Sequence, residues 1–211
     1  MGKYIVEMIG TFFFVLTIGM TVIAPGAEAL APLAIGSALM VMIYAGGHVS
    51  GGHYNPAVTL AVWMRGKCDT AAVPGYMVMQ VVGALIAAVV VGVLKGPAAM
   101  SAVTAAPREI FPTLLAEFFY TFALAWVVLN VATAKGTAGN SFYGLAIGFT
   151  VLANAYAVGG VSGGVINPAV AVGATAMGLV TVSNIWMYLV AEFAGAAVAA
   201  LTFKAVNPQD L

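Results

Sequence analysis

Charged residues are scarce in this sequence. Asp, Glu, Lys and Arg make up 7% of its 211 residues, whereas a typical soluble domain carries about 25%. Seven basic and seven acidic residues cancel, so no basic surface is available to neutralise a phosphate backbone, and we expect no nucleic-acid partner. The composition argues against an ordinary water-solvated surface.

Cysteine and histidine are scarce too. The single cysteine, Cys68, cannot form an intrachain disulfide, and we interpret it as an ordinary loop thiol. Two histidines, His48 and His53, are too few to build a metal site with one cysteine. We also find no arrangement of nucleophile and base and no cofactor motif. The sequence therefore predicts no metal, no cofactor and no enzymatic activity.

Hydrophobic residues make up 63% of the chain and fall in six long segments. A bilayer core of about 30 Å needs about 20 residues of helix. Spans are predicted at 4–24, 32–47, 74–94, 113–134, 142–158 and 185–203. Two further apolar pieces, 55–64 and 167–177, are long enough for only half a membrane. Because the first segment contains Glu7 and more spans follow, we interpret it as a retained span and not as a signal peptide.

The few basic residues orient the predicted bundle. If the N-terminus is cytoplasmic, five basic residues lie inside, and Lys95 and Arg108 lie outside. The inner five are Lys3, Arg65, Lys67, Lys135 and Lys204. We expect an integral membrane protein with both termini in the cytoplasm. Its short termini and loops favour a prokaryotic cytoplasmic membrane.

An internal repeat relates the two halves of the chain. Residues 35–58, IGSALMVMIYAGGHVSGGHYNPAV, align without gaps on residues 147–170, IGFTVLANAYAVGGVSGGVINPAV, which lie 112 positions later. We interpret 1–211 as one transmembrane domain with a first repeat at 1–98 and a second at 112–206. Each copy holds three spans, an odd number, so the second copy enters the membrane from the opposite side and the repeat is inverted.

Each repeat contains the tripeptide Asn-Pro-Ala. Asparagine is a favoured N-cap and proline a favoured first helical residue, so one such tripeptide predicts only a helix start. At matched positions of an inverted repeat, the two short helices would begin together near the midplane, where irregular backbone must be buried or line water. Their side-chain amides and helix N-termini would orient water and oppose cations. The predicted central pore constriction comprises Asn55, Pro56, Ala57, Asn167, Pro168 and Ala169.

The residues before each tripeptide are expected to run extended and to offer backbone carbonyls to a passing solute. This carbonyl ladder comprises Gly51, Gly52, His53, Tyr54, Gly163, Gly164, Val165 and Ile166. His48 and His53 also flank the first motif at the predicted cytoplasmic mouth. They are expected to brace the loop by ring hydrogen bonds, or alternatively to line the pore and gate it by protonation.

These features resemble the aquaporin, or major intrinsic protein, family over essentially the whole chain. The resemblance rests on GGHYNPAVTLA, INPAVAVGA, the repeat and two glutamates that lead spans. It implies an all-α membrane protein, an aquaporin-like bundle of six transmembrane helices plus two re-entrant half-helices, usually assembled as a homotetramer in the lipid bilayer. It further implies that Glu7 and Glu117 support the two motif loops. Glu192, which replaces Gln80 in the second repeat, is interpreted as a buried, loop-bonded or protonated group and not as a conducting residue.

The outer filter of this family normally combines a bulky or aromatic residue, a variable second residue that is often histidine, a small residue and an arginine. The corresponding positions here are Ile35, Ala155, Gly164 and Val170. Since they include no aromatic residue, no histidine and no arginine, the resemblance predicts a wide apolar outer filter lacking arginine. Such a filter would admit small neutral solutes larger than water.

We therefore predict a passive transmembrane channel for water and small neutral solutes. A proton- or ion-coupled transporter is one alternative, because such proteins also use inverted repeats and broken helices. It would need an ionisable group at the midplane, where this sequence has Asn, Pro and Ala. A structural membrane protein with a closed pore is another alternative, since an apolar filter can dewet.

Overall fold

The computed structural model describes residues 1–210, and within them every regular element is helical. Eight α-helices follow one another in this part of the chain: α1 Gly2–Val22, α2 Ala31–Ser50, α3 Pro56–Met64, α4 Val73–Ser101, α5 Ile110–Val128, α6 Tyr143–Val158, α7 Pro168–Ala176 and α8 Ile185–Val206. A π-helical turn at Leu129–Thr133 prolongs α5. The order repeats after α4, with a short helix third in each half.

Five of the six predicted spans correspond to helical segments long enough to cross a membrane. Among the described residues, five helical segments are long and apolar enough to cross a membrane, whereas α6 is a shorter apolar helix of 16 residues. At a rise of 1.5 Å per residue, α6 measures about 24 Å, less than a hydrocarbon core of about 30 Å. The span predicted at 142–158 is thus correct in position but short.

Helix α4 runs beyond its predicted end at residue 94. It bends at Gly96, which has φ 79° and ψ 165°, and then continues through Pro97 to Ser101. Glycine reaches a positive φ without steric cost, so this residue accommodates the bend. The Lys95 ammonium at the bend donates to the carbonyl oxygens of Ile23 and Pro25 and so ties α4 to the end of α1. Part of the predicted external stretch is therefore helical.

The two halves pack alike. Helix α1 packs most extensively on α4, α5 packs on α8, and α2 crosses α6. At that crossing, a Cβ on Gly36 would lie 2.7 Å from the Gly148 carbonyl oxygen, and one on Gly148 would lie 2.6 Å from that of Gly36. Gly36 and Gly148 are matched by the offset of 112. Because this contact is reciprocal, we propose that residues 1–98 and 112–206 are the two copies of the internal repeat.

Several polar side chains are buried in the bundle beside its apolar core, and many large apolar side chains lie on the outer surface. Glu7, Gln80, Glu117 and Glu192 are all fully buried. Many large apolar side chains are exposed instead, among them Phe13, Val89, Phe119, Val190 and Leu201. This distribution suits a protein whose outer solvent is lipid, in which buried polar groups must find partners within the protein.

The approach of α4 to α1 gives a first prediction. A Cβ on Gly83 would lie 2.4 Å from the backbone carbonyl oxygen of Met8. Since neither backbone can move aside without parting the helices, we expect Gly83→Ala to lower the free energy of unfolding by about 1–3 kcal/mol. Thermal unfolding in detergent, followed by circular dichroism, measures the change.

The matched control is Gly92→Ala in the same helix. No atom lies within 4 Å of a Cβ added at Gly92. Alanine favours a helix over glycine by about 1 kcal/mol, so this variant should be neutral or more stable. Equal unfolding temperatures for Gly83→Ala and Gly92→Ala would contradict the packing argument.

Candidate functional site

The N-termini of α3 and α7 meet at the centre of the bundle. The Asn55 Oδ1 atom caps α3 by accepting the N–H groups of Ala57 at 2.8 Å and Val58 at 3.4 Å. Asn167 caps α7 in the same way with its own two following N–H groups. The Asn-Pro-Ala tripeptides thus begin both half-helices, as their N-cap and N1 residues predict.

Each asparagine also binds the opposite motif loop. Nδ2 of Asn55 donates to the Ile166 carbonyl at 2.9 Å, and Nδ2 of Asn167 donates to the Tyr54 carbonyl at 2.9 Å. Tyr54 and Ile166 have φ values of 48° and 43°, a region that side-chain-bearing residues rarely adopt. An amide NH₂ has two hydrogens. One N–H of each asparagine therefore holds the two loops together, and only one is left for a solute.

Asn55 and Asn167 line a small central cavity. Its volume is about 10 Å³, roughly the space that one water molecule needs. Much of the remaining wall is apolar and includes Phe14, Leu39, Leu124, Ile147 and Val151. Four of the residues predicted to form the constriction, Pro56, Ala57, Pro168 and Ala169, are buried but do not line this cavity. They lie in the first turns of the half-helices, so the asparagines alone bring the motif to the lumen.

The predicted carbonyl ladder is only partly available. Its residues do not run uniformly extended, because Gly51, Gly52, Gly163 and Gly164 also have positive φ values; the chain has to turn back between a long helix and a half-helix. Three of its carbonyls already accept hydrogen bonds: that of Gly164 from Asn154 at 2.6 Å, and those of Tyr54 and Ile166 from the asparagines. In the described chain, five have no protein donor: Gly51, Gly52, His53, Gly163 and Val165.

Glu7 and Glu117 hold the two motif loops. One Glu7 oxygen accepts the Ser50 hydroxyl at 2.7 Å and the His53 N–H at 2.9 Å, and the other accepts the Tyr54 N–H at 2.6 Å. Glu117 accepts the N–H group of Val165 at 3.0 Å and that of Ile166 at 2.6 Å. These contacts fit the predicted supporting role. Backbone donors buried in a membrane need such acceptors.

The two halves differ beside these glutamates. Gln80 donates to Glu7 at 2.8 Å and to the Thr59 hydroxyl at 3.0 Å. Glu192, at the matched position, lies beside the Glu117 carboxyl and near the Asn167 N–H, yet neither of its oxygens meets the geometry of a hydrogen bond. Glu192 lines none of the cavities along the pore axis. The buried position agrees with the sequence interpretation of this residue.

The four predicted filter positions line one outer pocket. This pocket has a volume of about 140 Å³ and its wall includes Ile35, Ala155, Gly164 and Val170. The same wall also includes Arg108, which lies in the segment between α4 and α5. The sequence did not predict a role for Arg108, because this residue lies outside both repeats. The one sequence feature that pointed to it was its predicted position on the external side of the membrane. The four positions carry no arginine, but the pocket does contain one.

His53 lies between the central cavity and a vestibule of about 450 Å³ at the predicted cytoplasmic end, called the inner vestibule. Its Nδ1 atom is 3.1 Å from the Thr59 hydroxyl, and its ring packs on Tyr76 with centroids 5.1 Å apart. His53 therefore both braces the loop and borders the lumen. His48 is exposed and lines a neighbouring inner cavity. Lys3 and Lys67 also line the inner vestibule, at the end opposite Arg108.

The family model described as Major intrinsic protein matches residues 1–203. The chain belongs to this family. Among its relatives, it is 34% identical to "Glycerol uptake facilitator protein-like 6" of Lactiplantibacillus plantarum, covering 100% of both chains. It is 36% identical to "Aquaporin NIP1-3" of Oryza sativa subsp. japonica, over 99% of this chain and 74% of that protein.

The fold of this major intrinsic protein agrees with that of a solved relative. The X-ray structure of the aquaglyceroporin from Plasmodium falciparum aligns with a TM-score of 0.83 at 23% identity, covering 99% of this chain and 97% of the other. The predicted class, an all-α aquaporin-like bundle, is thereby confirmed. Major intrinsic proteins are passive membrane channels for water and small solutes such as glycerol, so the chain is an integral membrane channel and not an enzyme.

Proposed function

We propose that this major intrinsic protein conducts water and small neutral solutes through one central pathway. The pathway runs from the outer pocket of Ile35, Ala155, Gly164 and Val170 through the asparagine pair to the inner vestibule. The observation that carries the proposal is the meeting of two capped half-helices at one cavity lined by both asparagines. The four filter side chains are apolar or absent, which favours solutes larger than water at the outer end.

We propose that cations are excluded at the central cavity lined by the two asparagines. Each helix N-terminus contributes about half a positive charge, and the remaining asparagine N–H groups favour an oxygen acceptor over a cation. No Asp or Glu of the described chain lines the central cavity. Coupled transport would need an ionisable group placed to take up a proton or ion, and the one titratable side chain among the described residues of this wall, His53, is held by the Thr59 hydroxyl and packs on Tyr76. The geometry therefore favours a passive channel over the coupled transporter.

We further propose a homotetramer in a prokaryotic cytoplasmic membrane, with both termini in the cytoplasm. The exposed apolar side chains supply surface for lipid and for neighbouring copies. The proposed orientation comes from the distribution of basic residues. It is supported by the positions of Lys3 and Lys67 at one end of the pathway and of Arg108 at the other.

Stopped-flow measurements on proteoliposomes test this function. We expect faster water flux than in empty liposomes and measurable permeation by at least one of glycerol, urea and ammonia. Water flux without permeation by any of these solutes would show that the outer filter is narrower than its apolar residues imply. Absence of all flux would favour a closed structural protein, and dependence on a proton gradient would favour the coupled transporter.

A further inference from the structure

Arg108 is the one charged side chain among the described residues that line the outer pocket. It comes from residues 102–109, which connect α4 to α5 and belong to neither repeat. No matched residue of the first half therefore predicts its position. The neighbouring wall includes Ile35, Ala155 and Val170, so the guanidinium faces largely apolar surroundings.

The Arg108 side chain is held against the second motif loop. Its Nη1 atom donates to the carbonyl oxygens of Gly160 and Val161, at 3.0 Å each. Its Nη2 atom lies 3.6 Å from the place that a Cβ on Gly163 would occupy. A guanidinium has five N–H donors. Nε and Nη2 make no other hydrogen bond of good geometry in the described chain, although the guanidinium also lies near the Tyr188 hydroxyl, so up to three N–H groups are available to a solute or to water.

The acidic groups nearby lie outside the pocket wall. Arg108 and Glu117 attract each other, but they form no ion pair within 4.0 Å, and the two Glu117 oxygens accept the N–H groups of Val165 and Ile166. Glu117 does not line the pocket, and no other Asp or Glu of residues 1–210 does. The Tyr188 hydroxyl, which borders the pocket, donates to the Ser162 carbonyl at 2.6 Å.

We propose that Arg108 is a specificity-determining residue of the outer pocket, where it supplies the positive charge and the hydrogen-bond donors that Val170 does not. A planar donor fork in an apolar wall favours neutral solutes with carbonyl or hydroxyl oxygens. Its charge repels cations before they reach the asparagine pair. This inference rests on the proposed channel function, because it assigns the outer end of the same pathway.

A cysteine placed in the pocket reports its charge without any need for transport. Ala155→Cys supplies the thiol, and Cys68→Ser removes the native one, which lines the inner vestibule. In proteoliposomes, the thiol is treated from outside with two methanethiosulfonates, one carrying a sulfonate and the other a trimethylammonium group. The ratio of the two reaction rates, anionic over cationic, measures the local potential.

We expect Arg108→Gln to lower this ratio by roughly fivefold, the effect of removing one charge several ångströms away in a partly screened site. Glutamine keeps a donor for the Gly160 and Val161 carbonyls, so the loop should stay in place. Lys95→Gln is the matched control, because Lys95 is also predicted to be external but binds Ile23 and Pro25 instead. It should leave the ratio unchanged.

Adding Val170→Arg to Arg108→Gln should restore the anionic preference, since it returns one guanidinium to the pocket. Equal ratios in the Arg108→Gln and Lys95→Gln proteins, or an unchanged ratio in Arg108→Gln alone, would overturn the proposal. Folded yield and gel-filtration profile are compared for every variant. A wild-type protein that conducts nothing would refute the channel function, while the rate ratio would still report whether Arg108 charges the pocket.

Discussion

Val170→Arg is expected to lower permeation by the conducted solute, whether glycerol, urea or ammonia, about tenfold or more while part of the water flux remains. A tenfold loss corresponds to a barrier about 1.4 kcal/mol higher. Val170 is 3% exposed and lines the pocket of about 140 Å³. A guanidinium there would fill apolar space and place a second positive charge near Arg108, which narrows the pathway at its outer end.

Val170→Leu separates size from charge in this experiment. It adds volume to the same wall without a charge or a donor, so solute flux should fall much less than in Val170→Arg. Folded yield must be checked as well, because a buried charge in a membrane protein can itself impair folding. If properly folded Val170→Arg protein conducts the solute as well as wild type, residue 170 does not face the pathway.

Local sequence chemistry was enough to predict the half-helices. Asn55 and Asn167 cap the helices that follow them, and capping depends only on residues two and three positions away. The internal repeat then placed the two motifs opposite each other. Glu7 and Glu117 lead spans in the two repeats, and the resemblance to the family implied that they support the motif loops before any contact was known.

Contacts between distant segments could not be predicted in this way. The amide of each asparagine binds a carbonyl of the opposite loop, that of Tyr54 or Ile166, and both of these residues adopt positive φ values. Neither residue type signals that conformation. Arg108 was missed for a related reason: it reaches the pocket from a connecting segment that has no counterpart in the other repeat. Family positions counted from the motifs cannot include such a residue.

The bend in α4 shows a different limit. Gly96 and Pro97 form a pair that usually ends a helix, and the predicted span stops just before it. The structure resumes helical geometry after the bend, up to Ser101. The Lys95 ammonium group binds carbonyl oxygens at the end of α1. This tertiary contact accompanies a helical continuation that Gly96 and Pro97 disfavour.

Glu117→Gln and Glu192→Gln are expected to change stability in opposite directions, although both replace a fully buried glutamate by the same residue. Glutamine keeps one acceptor oxygen at position 117 but replaces the other with an NH₂ group. In the structure, both Glu117 oxygens accept backbone N–H groups. Glutamine would satisfy one of them and turn an NH₂ group toward the other, at a cost of about 1–3 kcal/mol of unfolding free energy.

Glu192→Gln removes no hydrogen bond of good geometry from the described chain, and glutamine keeps an oxygen for the Asn167 N–H nearby. It also removes the cost of placing two acidic groups side by side away from water. The first half shows the alternative arrangement, in which Gln80 donates to Glu7 at 2.8 Å. Because a glutamine at 192 could donate to Glu117 likewise, we expect a gain of about 1 kcal/mol. Thermal unfolding of both variants in detergent, compared with wild type, measures the difference. A loss for Glu192→Gln as large as that for Glu117→Gln would mean that Glu192, too, holds the motif loop.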